Sequence, residues 1–110
     1  MSRLKRKATD AKTINRIRYR ICMIANSMEL DSILIYTSHE GMYVRVRHCI
    51  AYILTDIFKI SYWSVANVMY KKSHQTIIKA SEKYRYDLEV NQLYKSIFKK
   101  CMKYLGDIYE

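Results

Sequence analysis

Residues 61–80 read SYWSVANVMYKKSHQTIIKA, from Ser61 to Ala80, and their reading decides the rest of the chain. Ser61 precedes the apolar positions Val65, Ala66, Val68 and Met69. A serine oxygen there accepts from an N–H of the first turn, which the helix itself leaves unpaired. The pattern predicts a helix of about two turns ending near Tyr70. Lys71-Lys72 forms a short turn, and Ser73 repeats the capping chemistry for a helix from His74 to about Leu88. Ile77, Ile78, Ser81, Tyr84 and Leu88 step along its inner face. A short helix, a tight turn and a second helix have the proportions of a helix-turn-helix. In that motif the N-terminal residues of the second helix meet base edges in the DNA major groove. Here they are Lys72, Ser73, His74, Gln75 and Thr76. Lysine meets phosphate, glutamine pairs bidentately with adenine, and a helix N-terminus itself favours an anion. An ordinary helical hairpin capped by Ser73 is the plain alternative.

Outward from this stretch the three-and-four spacing persists. Ile14, Ile17, Ile21, Ile24, Ala25 and Met28 predict a helix from Asp10 to about Ser27. Asp31 is the N-cap of a short second helix, and residues 36–43, with Gly41, read as the most loop-like segment. Val46, Ile50, Ile53, Leu54, Ile57 and Phe58 predict a helix from about Tyr43 to Phe58. Leu93, Ile97, Phe98, Cys101 and Leu105 predict a last one from about Asn91 to Ile108. With no proline and only two glycines in 110 residues, the chain lacks the turn residues that an all-β domain needs. The expectation is an all-α bundle of about five to six helices. Residues 1–9 are a basic tail and residues 10–110 a single domain.

Twenty Lys and Arg stand against ten Asp and Glu, a formal net charge of +10. Residues 1–20 hold eight of the cations and one acid, whereas residues 21–40 hold three acids and no Lys or Arg. Between 61 and 80 there is no acid at all. Such a balance suits a polyanionic partner. Cys22, Cys49 and Cys101 are far apart and the three histidines scattered, so no zinc-ligand spacing exists and a reducing, cytoplasmic setting is expected. No apolar run is long enough to span a membrane. No helix combines a broad apolar face with a dense Lys/Arg face, so a membrane surface is not an expected partner.

Arg47 to Tyr52, Ser61, Val65-Ala66 and Lys72 to Ala80 together resemble the C-terminal DNA-binding domain of the bacterial replication initiator DnaA. The likeness covers about Thr13 to Leu88. That family's signature runs roughly Gly-Arg-Asp-His-Thr-Thr-Val-x-x-Ala, and His74, Thr76 and Ala80 match it. The resemblance implies an all-helical bundle with a Trp-repressor-like helix-turn-helix. It implies that His74 and Thr76 face bases and that Arg47 and Lys83 meet the DNA backbone. Ser73, Gln75 and Lys72 replace an aspartate, a threonine and an arginine, which predicts a different preferred site. The family reads the minor groove with an arginine in the loop before its long helix. That position is His39 or near it here, and the tail, with Arg3 and Arg6, is a substitute arm.

The function expected is therefore sequence-preferring binding of double-stranded DNA, as a replication-linked factor or transcriptional regulator. Arg45, Arg47, Lys71, Lys79 and Lys83 are the expected phosphate contacts. A bacterial nucleoid-associated protein, or one encoded by a phage or mobile element, fits this reading. No Gly-rich phosphate loop occurs in these residues, so neither nucleotide nor ATPase activity is expected, and no cofactor or metal. No serine or cysteine stands where a base would be held beside it, so the chain does not read as an enzyme. The rival reading is an interaction module that kept the fold and lost DNA readout. It would bind a replication protein, or a second copy of itself, through Trp63 and the tyrosines. Trp63 itself is expected in the core or half-buried.

Overall fold

Asp10 opens the first helix: its carboxylate accepts from the backbone N–H of Thr13 at 2.8 Å. The computed structural model describes residues 9–109, so the expectations for Arg3 and Arg6 lie outside the described residues. These form six α-helices: α1 Ala11–Ser27, α2 Leu34–Thr37, α3 Gly41–Tyr52, α4 Tyr62–Val68, α5 His74–Val90 and α6 Gln92–Leu105. A π-helical turn, Ile53–Ile57, extends α3, and no strand occurs among the described residues. None of these helices is long and apolar enough to cross a membrane.

The caps fall where hydroxyl and carboxamide chemistry puts them. Ser61 accepts from Ser64 N–H, Ser73 from Gln75 N–H and Asn91 from Leu93 N–H. Asp31 acts two residues ahead of the N-cap Ile33, accepting from the N–H groups of Ile33 and Leu34. The segment 36–43 is mostly not a loop. Tyr36 and Thr37 belong to α2, only residues 38–40 connect, and Gly41 is the first residue of α3.

α3 is the central element, packed on α2, α5 and α6, while α1 covers α4 and α6. The core is built from Ile17, Ile21 and Ile24 of α1, Val46, Cys49 and Ile50 of α3, and Tyr84 of α5, closed by Ile97 and Leu105 of α6. Past Tyr52 the pitch widens. Phe58 N–H donates to Ile53 O, five residues back. Thr55 is thereby turned inward, where its hydroxyl donates to Ala51 O and meets the Ser81 hydroxyl at 2.8 Å. The extra residue also rotates the end of the helix, so Ile57, expected inward, is exposed.

Three helix ends close with a residue at positive φ, and none is glycine: Glu29, Lys59 and Tyr70. At Glu29 and Tyr70 the next residue's N–H reaches back to the carbonyls of Ala25 and Ala66, the Schellman closure. The chain's two glycines do not hold such positions. α5 and α6 are joined by Asn91 alone, whose N–H donates to Asp87 O while its side chain caps α6. The Tyr84 hydroxyl bridges the two helices by donating to Tyr94 O at 2.7 Å.

Candidate nucleic-acid interface

The segment α4–turn–α5 carries the residues singled out in the sequence. Ser73 caps the start of α5, and Lys72, Gln75, Thr76 and Lys79 are all exposed around its first two turns. Lys79 stands four residues after Gln75 and three after Thr76, so these three share one side of the helix, and Lys72 lies in the turn just before its cap. No acid lies between Asp56 and Glu82, so the turn and the first two turns of α5 carry their lysines with no acid among them. Lys83 continues the row one turn further but pairs with Asp87 at 3.3 Å.

His74 is not a free member of the row. Its ring lies against the indole of Trp63, and its Nδ1 is buried without a hydrogen-bond partner. Trp63 itself is 64 % exposed, contrary to the expectation that it lies in the core or half-buried. It sits at the start of α4, on the side facing the start of α5 rather than the core side held by Val65, Ala66 and Val68. The backbone N–H of Thr9 donates to the Ser64 hydroxyl, so the described chain begins beside the same helix.

Several expected phosphate contacts have other partners in the fold. The Arg47 guanidinium donates to Ile35 O at 2.8 Å and to Ser38 O at 2.9 Å. Lys71 Nζ donates to Tyr36 O at 3.0 Å. Both cations thus satisfy carbonyls around the C-terminal end of α2, where cations are favoured. Burial holds the Arg47 pKa below its usual value, and burial together with the nearby Arg47 does the same to Lys71. Arg45 is half-buried, with its guanidinium folded back over Gly41. His39 is exposed on the short connection 38–40, next to Glu40.

The same device recurs in α1. Arg18 donates to the carbonyls of Asn67 and Val68 at the end of α4, and its guanidinium lies 4.1 Å from the Tyr70 ring centroid. Arg16 donates to Ile108 O, and Arg20 to Tyr104 O and the Asp107 carboxylate. Arg18, Cys22, Ile33, Tyr36 and Tyr70 line a groove of about 450 Å³ behind the α4–α5 turn. Tyr36 packs edge-on against Tyr70, and burial raises its pKa to about 12, so its hydroxyl stays protonated at neutral pH.

Sequence reasoning missed these internal cations because their partners lie up to 92 positions away. It missed the exposure of Trp63 because a two-turn helix shows too few apolar positions to define its buried side. No family model matches this chain, and no curated protein or solved structure matches it either.

Proposed function

We propose that the protein binds double-stranded DNA, with α4 and α5 acting as a helix-turn-helix and the start of α5 entering the major groove. The observation that carries this reading is the exposed row Lys72, Gln75, Thr76 and Lys79 at a capped helix N-terminus, within an acid-free stretch. A bare positive surface would serve any polyanion. Compact hydrogen-bonding side chains between two lysines suit base edges flanked by phosphates. The resemblance of residues 13–88 to the DNA-binding domain of the replication initiator adds support, and a role in replication or transcription follows from it. Phosphate contact falls to Lys72, Lys79 and the outward side of Lys83. Arg47 and Lys71 instead brace α2.

Selection of bound duplexes from a random pool tests the proposal. A recovered consensus that changes when Gln75 is replaced by threonine supports it. Failure to retain any duplex at low salt overturns it. A second reading has one observation in its favour, the exposed indole of Trp63. On that reading the protein docks a replication protein or another copy of itself there. Loss of that association in Trp63→Ala, with no duplex bound by the wild type, would establish it.

A further inference from the structure

Part of the chain's positive charge is held within the fold. Arg16, Arg18, Arg20, Arg47 and Lys71 are bonded to backbone carbonyls, and Lys83 and Arg85 to carboxylates. Lys95, Lys99, Lys100 and Lys103 of α6 are different. All four are exposed, and none forms an ion pair among the described residues. α6 contains no Asp or Glu anywhere along its length.

Such a row is unfavourable for the helix alone. Lys95, Lys99 and Lys103 repeat at i,i+4, where like charges repel. Lys100 and Lys103, near the C-terminal end, are eased by the helix dipole, but Lys95, close to the N-terminal end, is opposed by it. Packing does not account for the row either, because Ile97, Cys101 and Leu105 on the other side of α6 already fill the core. The same burial leaves no apolar face to enter a bilayer. What remains is a surface shaped for an extended polyanion. From Lys95 to Lys103 the helix rises about 12 Å. Over that length a DNA duplex presents roughly seven phosphate charges. At one end, Ser27, Lys100, Lys103 and Tyr104 line a cleft of about 170 Å³, into which the two ammonium groups can bring one phosphate.

We propose that α6 carries a second, sequence-independent phosphate-binding face, and that it takes the backbone of a second DNA duplex. The proposal rests on the reading that α5 holds the first. The two sets of side chains stand on different helices, and Gln75 lies 16 residues, about 24 Å of helix, from the junction at Asn91 where α6 begins. One molecule thus joins two duplexes, reading one and gripping the other by charge alone.

The test uses the full chain and two short duplexes carrying donor and acceptor dyes, with anisotropy of one labelled duplex read in parallel. Wild type is expected to give energy transfer between duplexes that collapses as salt is raised. Replacing Lys95, Lys99, Lys100 and Lys103 by glutamine abolishes the transfer while anisotropy still reports one duplex bound with its preference intact. Replacing the same four by arginine keeps the transfer, which separates lost charge from lost folding. Wild type that binds one duplex without transfer overturns the second face and leaves the first standing. Transfer that survives the glutamine variant also overturns it, pointing to self-association. Wild type that binds phosphatidylserine vesicles through these lysines, and joins no duplexes, overturns it in favour of a lipid surface. If no duplex binds at all, both proposals fall.

Discussion

The imidazole of His74 and the indole of Trp63 form a tilted contact pair, ring centroids 4.1 Å apart and planes inclined at 44°. With Nδ1 buried and unpartnered, hydrogen bonding from His74 to a ligand runs through Nε2. On the proposed reading, the indole sets the direction in which the His74 ring faces a base. Trp63→Ala is expected to lower discrimination between a selected site and random duplex about tenfold, within the range of one base contact of about 1–3 kcal/mol. Trp63→Phe, which keeps a stacking ring, retains most of it. Competition binding measures both, and unchanged discrimination in Trp63→Ala would show that His74 is oriented otherwise.

Arg47 and Lys79 are both cations, yet their replacements should differ in kind. Arg47→Ala leaves Ile35 O and Ser38 O without their donor and is expected to cost about 1–3 kcal/mol in urea unfolding. The salt dependence of DNA binding stays as it was. Lys79→Ala is expected to leave stability within about 0.5 kcal/mol. It reduces the slope of log K against log salt by about one. The opposite pattern would assign Arg47 to phosphate.

Glu29 and Lys59 hold left-handed backbone without bearing on the proposed interface. An L side chain there costs roughly 1–2 kcal/mol, part of which glycine returns as unfolded-state entropy. Glu29→Gly and Lys59→Gly are each expected to stabilise the fold by about 0.5–1 kcal/mol, read from the denaturation midpoint. Tyr70→Gly should gain less, because Tyr70 also packs against Tyr36 and beneath Arg18.

His48 sits half-buried on α3, and burial holds its pKa below the usual value; Arg47 and Lys83 add to this, and Asp87 opposes it. A depressed histidine binds fewer protons when folded than when unfolded. Stability from this group is therefore fully present above about pH 6.5, the ordinary histidine value, and is lost as pH falls through the folded pKa. Urea midpoints at pH 7.5 and pH 5 are expected to show the fall, and His48→Gln should shrink it. An equal fall in the variant would place the titration elsewhere.

Much of the fold was legible because its signals are local. Asp10, Ser61 and Ser73 cap helices through bonds spanning two or three residues, and the buried stripe of α1 follows one period. The errors came where that locality ends. Gly41 suggested a loop, but it begins a helix, while left-handed turns went to Glu29, Lys59 and Tyr70, residues that give no such signal. The π-turn around Thr55 broke the period and turned Ile57 outward. At the candidate site, composition and the cap at Ser73 singled out the row on α5. Which cations are free and which are tied to carbonyls was set by contacts between distant helices, invisible to spacing alone.

Asn91 serves as both the last constraint on α5 and the first on α6, and Tyr84 clasps Tyr94 across the bend. A hinge made of one residue, bonded on both sides, has no slack. The lysine row of α6 therefore turns with α5 as the hand of a clock turns with its spindle. For two duplexes held on these helices, the crossing angle would be written into this elbow. A short flexible insert after Asn91 would loosen the elbow, while the burial of Ile97, Cys101 and Leu105 keeps α6 seated on α1 and α3.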